Sequence, residues 1–125
     1  VYNLWRRFDE DGMDAPFALC DSRTVSEKEL IPTDLFNYGK EEEKTETLAD
    51  ENGFTVEIYQ SMNSDNHKWY FYPKMNRDEV VMFKTYDSNE NPFMPTLHSA
   101  FDDLSHDSKV SPRESIEVRA ICLFD

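Results

Sequence analysis

The sequence predicts an all-β-dominated fold, a β-sandwich or jelly roll with one or two short helical turns. Three observations predict it. Apolar and polar residues alternate with period 2 in several separate stretches, and no long stretch carries a 3.6-residue period. Reading these stretches in order gives about seven short strands with few helices, the pattern of packed antiparallel sheets.

Val1–Arg7 is the first predicted strand, carrying Tyr2 and Trp5. Asp9–Asp14 is an acidic turn around Gly12, and Phe17–Cys20 is a short apolar strand. Ser26 and Glu29 have the spacing of a capping box, so Ser26–Leu30 is expected to form one helical turn, closed by Pro32. Lys40–Glu51 holds six acids against two Lys and almost no hydrophobe, which reads as an acidic surface loop. Phe54–Gln60 alternates again, and Ser61–Asn66 is a turn-forming cluster. Lys68–Tyr72 packs Trp69, Tyr70, Phe71 and Tyr72 before Pro73 stops the strand. Asn76 is expected to cap a short turn, Arg77–Glu79, that feeds a strand over Val80–Tyr86. Asp87–Pro95 is a loop, Leu97–Phe101 a brief strand and Asp102–Pro112 a polar connection. Arg113–Phe124 has the cleanest alternation: Ile116, Val118, Ala120, Cys122 and Phe124 share one face, which predicts a long, half-buried strand.

The 125 residues are the size of one domain. Thirteen Lys and Arg against 26 Asp and Glu give a net charge of −13, a field that repels phosphate backbones and argues against nucleic-acid binding. Two Trp, six Tyr and nine Phe argue against disorder. Cys20 and Cys122 are too few for a disulfide framework and read as reduced thiols in an intracellular, cytoplasmic protein. No apolar run approaches the roughly 18 residues of a membrane span. The chain opens on the strand-like VYNLWRR and closes on AICLFD, so it is expected to be the C-terminal portion of a longer domain.

The residues themselves leave function open. There is no Gly-x-Ser-x-Gly elbow, no phosphate-cradling loop and no Cys-x-x-Cys pair. Cys122 lies on the apolar face of the last predicted strand, which makes it a core thiol. A mononuclear iron site takes two His and one carboxylate. None of His67, His98 and His106 has an acid two residues on, the residues there being Trp69, Ala100 and Ser108, so the first half of such a site is absent. A second half is conceivable. His98 opens a small strand, and Arg113-Glu114-Ser115 follows 15 residues later, where Arg and Ser together suit a carboxylate. Arg119, on the Glu117 face of the same strand, is a second candidate. A His and an Arg at strand starts are more often ordinary surface or hydrogen-bonding residues. Asp102 and Asp103 read either as a strand-ending turn or as orienting partners of His98. Trp69–Tyr72 reads as pocket lining or as sheet core with one solvated face.

Seven blocks carry a resemblance: Asn3–Arg6, Pro16–Arg23, Ile31–Leu35, His67–Pro73, Asp78–Ser88, His98–Asp103 and Pro112–Arg119. In this order they resemble the hydroxylase/desaturase family that includes the AsaB-type fungal enzymes, gibberellin desaturase and the small component of the cephamycin 7α-methoxylase. The resemblance implies a double-stranded β-helix (jelly-roll) portion and an oxidoreductase of secondary metabolism using non-haem Fe(II) and 2-oxoglutarate. It implies that His98 is the distal iron ligand, with His67 a competitor for that role, and that Arg113 and Ser115 hold the 2-oxoglutarate carboxylate. It also implies a His-x-Asp element upstream. The chain departs from the family at Arg7, where Pro is common, in the approach Asn91–Leu97 to His98, and in the insertion Lys40–Glu51. The expected substrate is a small apolar metabolite. The alternative is a non-catalytic accessory β domain that partners another protein, and a third reading is a binding module that exposes Trp69–Tyr72.

Overall fold

In a computed structural model, residues 1–8, 14–38, 54–104 and 112–124 are described. The turn at 9–13, the acidic segment 40–51 and His106 lie outside the described residues. The chain divides into two compact units, one of residues 1–25 with 65–125 and one of residues 26–64.

The first unit is built from two three-stranded antiparallel sheets. One has β1 (Tyr2–Arg7) at its centre, flanked by β6 (Val81–Lys84) and β8 (Ser115–Ala120). In the other, β2 (Phe17–Cys20) is central, flanked by β5 (Trp69–Phe71) and β7 (His98–Ala100). The two most buried strands are thus the two centres, with neighbours on both sides to pair their backbone groups.

Register decides which side chains face the second sheet. Trp5 stands opposite Val81 on one side and Glu117 on the other, while Asn3 stands opposite Phe83 and Arg119. Directly opposed residues project from the same face of a sheet, and Asn3, Trp5, Arg7, Val81 and Phe83 are all buried. The inner face of β8 is therefore Ser115, Glu117 and Arg119. The core itself is Trp5, Phe17, Met75, Val81 and Phe83, with Leu19 packed against it.

This overturns the expected face of the last strand. Ile116 and Val118 are 48% and 54% exposed, Leu123 and Phe124 are 91% and 80% exposed, and Cys122 is an exposed thiol rather than a core one. The strand also ends at Ala120, short of the expected Phe124. Alternation separates two faces, but only pairing with β1 selects the inner one. Arg7, at the position where the family commonly has Pro, is buried and donates from Nη1 to the Met75 carbonyl at 3.0 Å.

The turn predicted at Asn76 forms with its expected chemistry, and a second, unpredicted one forms at Asp21. The Asn76 amide donates to Glu79 Oε2 at 2.7 Å, and the Asn76 side chain accepts from the Asp78 amide at 2.8 Å. Asp21 caps a short 3-10 turn, Ser22–Thr24, by accepting from the Arg23 amide.

The second unit is a hairpin of β3 (Leu30–Tyr38) and β4 (Phe54–Ser61), with a register shift between Leu35 and Tyr38. A 3-10 turn over Glu27–Glu29 precedes it, where the Ser26 amide donates to Glu29 Oε2 at 2.8 Å. β3 was not expected. Pro32 does not end the segment but lies within the strand opposite Tyr59, which an edge strand tolerates.

Candidate functional site

His98 is the first residue of β7, and Leu19 of β2 stands opposite it. Because Leu19 packs on the core, its partner His98 shares the inner face. The imidazole reaches the other sheet, with its centroid 4.7 Å from the Phe83 ring and 5.9 Å from the Phe17 ring. Its Nδ1 lies 3.1 Å from the Thr96 carbonyl, so that nitrogen carries the proton and donates. Nε2 faces Glu117, whose Oε1 is 3.9 Å away. The side chains of His98 and Glu117 remain 31% and 32% exposed, which keeps this edge open to a small ligand.

Behind Glu117 stands Asn3, a fully buried side chain. Its Nδ2 donates to Glu117 Oε1, and its Oδ1 accepts from the Thr85 hydroxyl at 3.1 Å. A buried amide of this kind is tolerated only when its polar atoms are paired. Sequence reasoning did not single out Asn3 or Glu117. A Glu flanked by Ile116 and Val118 reads as the polar, outward residue of an amphipathic strand, and that signal points the wrong way here.

Arg113 lies just before β8, where the chain meets the entry to β2. Its amide donates to Asp14 Oδ1 and its Nη1 to the Ala15 carbonyl, both at 3.0 Å. The guanidinium carbon sits 5.9 Å from the centre of the Trp5 ring. Arg113 is thus held in place. Ser115 opens β8 opposite Arg7, and Arg119 is two residues beyond Glu117 on the same face. Each two-residue step along a strand spans about 7 Å.

The sheet order keeps His67 away from His98. Tyr70 and His98 flank Leu19 from opposite sides, about 10 Å apart across two strand spacings. His67 precedes Tyr70 by three residues, roughly another 10 Å along the strand. Among the described residues no three His, Cys, Asp or Glu side chains gather as a metal-binding group. Asp102 is exposed after the end of β7, and the acid that approaches Nε2 comes from the opposite sheet. Trp69, Tyr70, Phe71 and Tyr72 are all exposed, 42–64% each, so they are not sheet core. Phe71 does make an edge contact with Phe101 at 5.1 Å. No described helix is long and apolar enough to cross a membrane, which leaves strand-built spans unaddressed.

Two facing antiparallel sheets with a histidine between them correspond to part of a jelly roll, and solved structures agree. The iron and alpha-ketoglutarate-dependent endoperoxidase NvfI superposes with a TM-score of 0.70 at 30% identity, over 93% of this chain and 38% of that one. In sequence, the chain is 31% identical over 121 residues to the Fe(II)/2-oxoglutarate-dependent dioxygenase nvfI of Aspergillus novofumigatus. It is 29% identical over 128 residues to the hydroxylase/desaturase asaB of Aspergillus flavus. These alignments take in 97% and 100% of this chain but 39% and 55% of the relatives. Residues 1–123 also match the family described as an oxidoreductase/YMDC permease-like domain. The chain belongs to that family, and its sequence is similar to hydroxylases/desaturases of the AsaB type.

Proposed function

We propose that the protein is an Fe(II)/2-oxoglutarate-dependent oxidoreductase of secondary metabolism, which hydroxylates or desaturates a small apolar metabolite in the cytoplasm. The observation that carries this reading is the His98 imidazole, lodged between the sheets against Phe83 with Nδ1 tied to a backbone carbonyl. That arrangement fixes the tautomer and presents Nε2 as a metal ligand. The donor set fits iron in part: His98 supplies one ligand, and the reading assigns the others to residues outside those described.

Iron with 2-oxoglutarate supplies the oxidising power needed to remove hydrogen from an unactivated carbon. The chain's own residues bind and orient. Arg113, held by Ala15 and Trp5, offers a preset guanidinium to the cosubstrate carboxylate, and Ser115 adds a hydroxyl from the same strand. Arg119 is the alternative anchor on the other side of Glu117. Phe83 and Phe17 form an apolar wall on one side of the His98 ring.

Anaerobic titration of the full-length protein with Fe(II) in the presence of 2-oxoglutarate tests this. The expected result is a weak visible absorption that His98→Ala abolishes. Arg113→Ala should weaken 2-oxoglutarate without abolishing the metal, whereas a larger effect of Arg119→Ala would move the anchor to that residue. If the full-length protein binds neither iron nor 2-oxoglutarate, the accessory β-domain reading replaces this one.

A further inference from the structure

We propose that Glu117, held by Asn3, is a positioning residue for His98: it fixes the inner edge on which Nε2 opens and places a negative charge beside whatever cation that nitrogen holds. The proposal rests on the reading of His98 as an iron ligand.

Asn3 holds the Glu117 carboxylate. It occupies an inner position on the central strand where Leu or Val would fill the space without needing partners. Instead a fully buried amide joins Glu117 of β8 to Thr85, which follows β6. Register places Trp5, not Asn3, directly opposite Glu117. The carboxylate therefore leans along the sheet to the amide, and this diagonal bond limits its rotamers.

At 3.9 Å, Glu117 Oε1 and His98 Nε2 are too far apart to share a hydrogen bond. In the neutral ring, whose one proton is on Nδ1, both atoms are acceptors. Two acceptors facing each other repel, and a cation bound at the nitrogen turns that repulsion into attraction. The Phe83 ring on the flank of the imidazole, 4.7 Å between centroids, limits rotation away from this arrangement.

The test uses Co(II) as the probe on the full-length protein, with its visible absorption as the readout. Glu117→Gln keeps the shape and an acceptor for Asn3 but removes the charge, and should weaken Co(II) about 10–100-fold with the absorption envelope preserved. Glu117→Ala removes both features. It should weaken Co(II) at least as much, alter the envelope, and shift the His98 ring nitrogens in the metal-free NMR spectrum, while Glu117→Gln leaves those signals near wild type. If both variants bind Co(II) as tightly as wild type and His98→Ala does not bind, the positioning role is overturned and the iron reading stands. If wild type binds no Co(II), or His98→Ala binds it equally well, the iron reading fails and this proposal fails with it.

Discussion

The Trp5 indole lies flat on the Phe17 ring, with centroids 4.5 Å apart and planes 8° from parallel, and this stack joins the two central strands across the core. Phe83 leans on the same Phe17 ring at 5.8 Å and on His98 at 4.7 Å. The core and the histidine are therefore one packed unit, so core substitutions are expected to disturb the site as well as the fold.

Trp5→Ala should cost about 3–5 kcal/mol, the usual loss for a buried aromatic. It also strips the platform beneath Arg113. Urea denaturation of the full-length protein measures the loss. A change below about 1 kcal/mol would show that the stack is not a principal contact between the sheets.

The outer face of the β6–β1–β8 sheet should tolerate polar residues. Leu4 stands there between Met82 and Val118, which are 65% and 54% exposed. Val118→Thr is expected to change stability by no more than about 0.5 kcal/mol, while Val81→Ala on the inner face should cost at least about 1–2 kcal/mol. A reversal of that order would mean that β8 or β6 is out of register by one residue.

The two thiols should differ sharply toward an aqueous thiol reagent. Cys20 is 2% exposed and lies within 3.8 Å of the Asp21 carbonyl and the Thr24 hydroxyl, whereas Cys122 is exposed. Native protein should label quickly at Cys122 and at Cys20 only on unfolding. Fast labelling of Cys20 in a Cys122→Ser variant would contradict the burial of β2.

Asp21 should titrate unusually low. The Arg23 side chain donates to both of its oxygens, at 2.9 and 2.6 Å, and the Arg23 amide adds a third bond. These bonds hold its carboxyl at about 2 rather than the ordinary 3.8. The folded value is depressed, so the contribution is complete above the ordinary carboxyl range and is lost as pH falls toward about 2. Side-chain carboxyl NMR measures the midpoint, and Arg23→Gln should move it back toward 3.8. A wild-type midpoint already near 3.8 would show that the pair does not persist in solution.

Much of the strand order was legible because strands are local. Phe17–Cys20 formed with the expected bounds, the aromatic run at 69–71 and the brief strand at 98–100 fell inside their predicted stretches, and Asn76 made its turn from nearby atoms. β3 was hidden because Pro32 reads as a stop, and only pairing with β4 holds that segment extended. Site legibility was poorer. The sequence singled out His98, Arg113, Ser115 and Arg119 but offered no sign that Glu117, bonded to Asn3, faces the imidazole.

What the residues determined unaided was most of the short strands, the acidic net charge and the family blocks, since alternation, turn chemistry and charge are properties of neighbours along the chain. Tertiary structure alone decided which face of β8 turns inward, which histidine packs against the core aromatics and which acid faces it. Asn3 and Glu117 are 114 residues apart, and the period of a strand describes two equivalent faces. Only antiparallel registration against β1 breaks that equivalence, and it turns Glu117 toward His98 while leaving Ile116 and Val118 in solvent.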